Sequence, residues 1–133
     1  MDEFAADPSH PRYESLLKRH ELEQAAKMGM LAGSALIAHG RGEAYDYLLG
    51  EQTIPSARLA TKFALQQLKD SEKSVISLNG NTTAIAGVEL MKLASLINCP
   101  VEVNIFYRTP ERMKILLKHL ESINQKLGLK VKI

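Results

Sequence analysis

From Ser74 to its last residue the chain alternates in a way that few folds accept. "SVISL" is a short apolar run rich in β-branched residues, and "AIAGVELMKLASLI" is apolar nearly all round over a helix's length. "VEVNIF" alternates as a strand does, "RTPERMKILLKHLESINQKLG" is amphipathic at helical spacing, and "LKVKI" is again strand-like. Strand, helix, strand, helix, strand is the order of parallel strands joined by crossover helices. The expected class is therefore α/β, a Rossmann-like parallel β-α-β-α-β half-sheet. Thr109, with Pro110 at the first helical position, caps the last helix. Arg112 at its third position means that a full capping box is absent, and Gly128 ends the helix.

N-terminal helices precede this half-sheet. Residues 1–11 read as an irregular arm broken by Pro8 and Pro11, with Ser9 as a helix cap. A helix through "RYESLLKRHELEQAAKMG" ends near Gly29, a second covers residues 31–49 before Gly50, and a third covers residues 54–69 with Pro55 in its first turn. The 133 residues are expected to form a single domain: arm 1–11, helical part 12–70 and Rossmann-like part 71–133. Parallel sheets need both faces covered. No helix follows the strand that starts at Leu129, so either the leading helices cover the second face or the chain is truncated at its C-terminus.

Composition narrows the function classes. Net charge is +2, no Lys/Arg block stands out and there is no tryptophan, so nucleic-acid binding is not expected. Cys99 is the single cysteine, which excludes a disulfide framework and speaks against a cysteine metal site; it reads as a packed thiol, and no metal-ligand set is expected. "MDEFAADPSHPRYES" is unlike a signal peptide and no apolar run is long enough to cross a bilayer, so a cytoplasmic protein without a membrane partner is expected. Met28, Met30, Met91 and Met113 read as core filler, and His10, His20 and His119 form no nameable constellation.

Ligands of open α/β sheets sit at the carboxyl ends of the strands. After the first strand comes Asn79-Gly80-Asn81-Thr82-Thr83, where Thr82 or Thr83 can cap the helix and the free N–H groups can hold an anion. An ordinary capped turn is the plain alternative. After the second strand come Asn104, Tyr107, Arg108 and Arg112. Guanidiniums beside a helix start oppose its dipole, a conflict that an anionic ligand removes, although Glu111 is a local partner.

"LIAHGRGEAYDYLLGE" holds a further group. In a helix His39, Glu43 and Asp46 share one face, while Arg41 and Tyr45 share the neighbouring one. Gly40 and Gly42 weaken such a helix by about 1 kcal/mol each relative to alanine, a cost tolerated where a ligand or backbone approaches closely. His39 reads as a packed histidine bonded to a carboxylate sooner than as a metal ligand. Arg12 and Arg19, seven residues apart, would lie on one helix face about 10.5 Å apart, a span that suits a polyphosphate.

"SHPRYESLLKR", "LIAHGRGEAYDYLLGE", "VISLNGNTTAI" and "VEVNIFYRTPER" closely resemble, in the same order, segments of the archaeal phosphopantothenate synthetases, also called 4-phosphopantoate–β-alanine ligases. The similarity runs from Ser9 to Gly128, and Tyr45 stands where phenylalanine is common. The resemblance implies a homodimeric, Rossmann-like ligase of coenzyme A biosynthesis. It would join 4-phosphopantoate to β-alanine and split ATP, accompanied by Mg2+, into AMP and pyrophosphate through an acyl-adenylate. It implies ATP contacts at Arg19 and Arg41, with the remaining ones in a C-terminal half that this sequence does not contain.

Beyond the resemblance, His39, Glu43 and Asp46 are the catalytic candidates. Arg12, Asn79, Gly80, Asn81, Tyr107 and Arg108 are the candidates for binding phosphopantoate. The rival class is a non-catalytic Rossmann-like module that binds a phosphorylated ligand. A dinucleotide-binding half-domain is disfavoured, because no G-x-G-x-x-G follows a strand.

Overall fold

The computed structural model describes residues 6–133, so residues 1–5 of the expected arm lie outside it. The described elements run α1 (Tyr13–Lys27), α2 (Ala35–Leu48), α3 (Pro55–Asp70), β1 (Ile76–Leu78), α4 (Gly80–Leu96), β2 (Val101–Val103) and α5 (Pro110–Lys126). The class is α/β, mostly helical, with a small parallel sheet of two strands.

Local chemistry accounts for most boundaries. Thr109 Oγ1 accepts from the Arg112 amide and Pro110 opens α5, as the sequence predicts; Gly128, at φ 63°, follows its end. The cap of α4 is Asn79 rather than Thr82 or Thr83. The Asn79 side chain accepts from the Thr82 amide at 2.9 Å, and Thr83 Oγ1 turns back onto the Asn79 carbonyl at 2.8 Å. Ser9 does not cap α1, because its amide and hydroxyl are both taken by the Asp7 carboxylate, at 2.8 and 2.7 Å. The helix starts at Tyr13 with Arg12 in non-helical backbone ahead of it. The second helix begins four residues later than the pattern predicts, since Met30 and Leu31 are buried in the connection before it.

In β1 and β2 Ile76 pairs with Val101 and Leu78 with Val103. This sheet face packs on Met91 and Ala94 of α4 and Leu120 and Ile123 of α5. A second cluster joins Leu22 and Ala25 of α1 to Met30, Leu31 and Leu116. Thr83, Gly87, Met91 and Ala94 form the buried stripe of α4, at the spacing of one helix face. Cys99 is a buried free thiol, as expected; Met30 and Met91 are core residues, whereas Met28 is exposed.

One expectation needs correction, and one of two alternatives falls. The third strand is not formed: residues 129–133 adopt no strand, although Val101 N donates to the Lys132 carbonyl at 2.8 Å. The Asn124 side chain takes both main-chain groups of Val131, at 2.8 and 3.2 Å, where a ladder would need them free. Nor do the leading helices cover the second sheet face. Ser77 and Glu102 are exposed there and bonded to each other at 2.8 Å. Among the described residues α3 packs against no other helix or strand and leaves Leu59 and Phe63 exposed.

Candidate functional site

The carboxyl ends of β1 and β2 open into a cavity of about 200 Å³. Met30 and Leu31 line it from the connection before α2, Ala35 and Ala38 from α2 itself, and Asn79, Gly80 and Asn81 from the start of α4. Tyr107, after β2, and Arg112, on α5, complete it. Two amides of the first turn of α4 are engaged: that of Thr82 by the Asn79 side chain and that of Thr83 by the Asn79 carbonyl. The amides of Gly80 and Asn81 have no protein acceptor among the described residues, as the first amides of a helix do not. They form an anion-seeking corner. Asn81 Nδ2 donates to the Ala35 carbonyl at 3.0 Å and ties this corner to α2. A Cβ on Gly80 would stand 3.0 Å from Leu31 Cδ2 and 3.4 Å from the Met30 carbonyl, so this turn needs glycine for close packing.

The Arg112 guanidinium donates through Nη1 to the Tyr107 carbonyl, while its Nε is shielded and lacks an acceptor. Tyr107 packs edge-on against Phe106, ring centroids 5.1 Å apart. Arg108 is exposed and does not line the cavity.

A second, wider cavity of about 610 Å³ lies between the start of α1 and the polar face of α2. His39, Glu43 and Asp46 all line it, as their spacing predicts. Glu43 accepts from both Arg12 and Ser15, and Arg12 also lies over the Tyr47 ring, 5.4 Å from its centroid. His39 Nδ1 is 3.9 Å from Glu43 Oε2, too far for the hydrogen bond expected there, and this shielded nitrogen has no partner.

Arg12 and Arg19 do not share a helix face, because Arg12 precedes the helix; Arg19 instead pairs with Glu23 along α1 at 3.2 Å. Arg41 is exposed on α2, one turn from Ile37 and Tyr45, and neither Arg19 nor Arg41 lines either cavity. A Cβ on Gly40 or Gly42 would meet nothing within 4 Å, so no close approach requires them among the described residues. Ser15, Met30 and Leu31 carry no sequence signal as site residues, because only folding brings them beside α2 and α4.

The family model described as phosphopantothenate/pantothenate synthetase matches residues 56–132, more than half of the chain. The chain belongs to this family. Its matched segment contains Asn79, Gly80, Asn81, Tyr107 and Arg112 of the strand-end cavity. A synthetase relative from Thermococcus onnurineus, named 4-phosphopantoate--beta-alanine ligase, is 43% identical over 121 residues, 91% of this chain and 46% of its own length. A protein of the same name from Methanospirillum hungatei is 49% identical over 108 residues, 81% of this chain and 44% of its own. One from Methanosarcina mazei is 42% identical over 113 residues, 85% of this chain and 45% of its own. The chain thus spans about half the length of the curated relatives it matches.

Proposed function

We propose that this chain is the substrate-gathering half of a ligase that joins 4-phosphopantoate to β-alanine at the expense of ATP, a step of coenzyme A biosynthesis. The observation that carries the reading is the strand-end cavity, where unpaired helix amides and a guanidinium meet in a chain of the synthetase family. Asn79, Gly80, Asn81 and Tyr107 would hold phosphopantoate there, and Arg108 and Arg12, which lie outside this cavity, are the further candidates for that substrate. Arg19 and Arg41 are the proposed ATP contacts.

The proposed route begins with a substrate carboxylate oxygen attacking the α-phosphorus. The bond to the bridging oxygen breaks and pyrophosphate leaves. The β-alanine nitrogen then attacks the acyl carbon, the C–O bond to AMP breaks, and the nitrogen gives up a proton. His39, Glu43 and Asp46 are the proposed groups for orienting the amine and receiving that proton. Among the described residues no three His, Cys, Asp or Glu side chains are placed to hold a metal ion. Magnesium entering with the ATP would neutralise the pyrophosphate as it leaves.

The same reading makes residues 1–133 one Rossmann-like domain. It also includes a homodimer, supported by the exposed Ile37, Tyr45, Leu59 and Phe63 on α2 and α3. A cytoplasmic location accords with the finding that no described helix is long and apolar enough to cross a membrane.

The test mixes full-length protein with ATP, β-alanine and phosphopantoate and follows AMP. AMP formation supports the ligase, and ADP formation rejects the adenylate route. Phosphopantoate binding without nucleotide turnover favours the alternative, a non-catalytic binding module.

A further inference from the structure

We propose that Arg112 reads the phosphate monoester of the acid substrate and sets the preference for the phosphorylated over the free acid. This rests on the ligase reading for the identity of the acid, but the assignment of an anion to this guanidinium stands on geometry.

Arg112 is the one charged residue among those described that line the strand-end cavity, and no carboxylate lines it. It has no acidic partner among the described residues, although Glu111 precedes it. The guanidinium is held in place, since Nη1 donates to the Tyr107 carbonyl and the residue's own amide is tied to Thr109 Oγ1 at 3.2 Å. Its Nε has neither solvent nor acceptor. A fixed cation without a counter-charge, in a mostly apolar recess, is an arrangement that an anion completes.

The same cavity is lined by Gly80 and Asn81, whose amides at the start of α4 are unpaired among the described residues. The guanidinium edge not taken by the Tyr107 carbonyl and these main-chain amides are donors lining one cavity. That matches the terminal oxygens of a phosphate monoester, which carries nearly two negative charges at neutral pH. The wider cavity is the wrong place for such a dianion, because Glu14, Glu43, Asp46 and Glu51 outnumber Arg12 and Lys18 there. The exposed Arg108 faces solvent screening that the half-buried Arg112 escapes.

The experiment titrates the 133-residue chain with 4-phosphopantoate and, separately, with pantoate. Calorimetry gives affinities, and NMR follows the Arg112 Nε–H and the amides of Gly80 and Asn81. The wild-type chain should prefer the phosphorylated acid, which should move all three signals. Arg112→Gln should weaken phosphopantoate by roughly tenfold to a hundredfold, the worth of a bond to a charged group, and leave pantoate nearly unchanged. Arg112→Lys should recover part of the loss, because lysine keeps the charge without the fork.

Equal weakening of both acids, no weakening, or a wild-type chain without preference would overturn the assignment. So would a silent Arg112 Nε–H at saturating phosphopantoate, a readout that needs no variant to fold. If phosphopantoate binds through Arg112 and yet full-length protein yields no AMP from ATP and β-alanine, the ligase reading fails and the phosphate site stands. If AMP forms and Arg112→Gln keeps the wild-type KM for phosphopantoate, the site fails and the ligase stands.

Discussion

Asn81 reaches from the first turn of α4 to the start of α2, where its side-chain amide donates to the Ala35 carbonyl at 3.0 Å. This bond fixes the distance between the anion-seeking corner and the helix that walls the cavity. Asn81→Asp keeps the shape and turns the donor into an acceptor, so it sets two oxygens against each other. The expected cost is about 1 kcal/mol or somewhat more, read as a lower urea midpoint with unchanged slope. Asn81→Ala should cost about the same through the unanswered carbonyl.

Gly80 is the tightest point of that corner. In Gly80→Ala the new methyl would press on Cδ2 of buried Leu31 at 3.0 Å and touch the Met30 carbonyl at ordinary contact distance. Destabilisation of about 1–3 kcal/mol is expected, the usual range for overpacking, together with weaker phosphopantoate binding. Thermal unfolding and calorimetry on one variant check both.

Gly40 and Gly42 should behave in the opposite way. Each lies within α2 with open space where a side chain would go. Gly40→Ala and Gly42→Ala should each stabilise this chain by about 1 kcal/mol through helix propensity alone. A variant that gains stability but loses nucleotide binding in a full-length ligase would show that a ligand or neighbouring backbone lies against these positions in the complete enzyme.

Arg41 has no ion-pair partner among the described residues and is exposed. Arg41→Ala should therefore leave stability within about 0.5 kcal/mol. Under the proposed function it should still weaken ATP binding; unchanged affinity would remove Arg41 from the site.

His119, on α5, titrates below the ordinary histidine value of 6.5, first because it is partly buried and second because Lys126 is near. The unfolded chain then takes up this proton before the folded one does as pH falls. The stability linked to His119 is complete above about pH 6.5 and is lost as pH drops through the lower folded value. His119→Gln should flatten that part of the pH dependence relative to wild type, as measured by urea midpoints across the interval.

Local patterns were legible wherever one turn of chain carries the physics. The Thr109–Pro110 start of α5, the buried stripe of α4 and the shared face of His39, Glu43 and Asp46 follow from side-chain period and capping chemistry, which depend on neighbours a few residues away. The cap of α4 shows where such reading slips. Asn79, Thr82 and Thr83 all suit the position, and only the backbone path out of β1 selects Asn79.

By itself, the chain's order of residues determined the alternation of strands and helices, the two strand tips and the polar face of α2, because these arise from contacts within single elements. Tertiary packing decided which guanidinium enters the strand-end cavity: Arg112 does, while Arg108 and Arg41 are exposed outside it and Arg19 pairs along its own helix. It also decided that Val131 gives its main chain to Asn124 instead of a ladder. Contacts between residues distant in sequence depend on how whole elements come to rest against one another, and no local period encodes that.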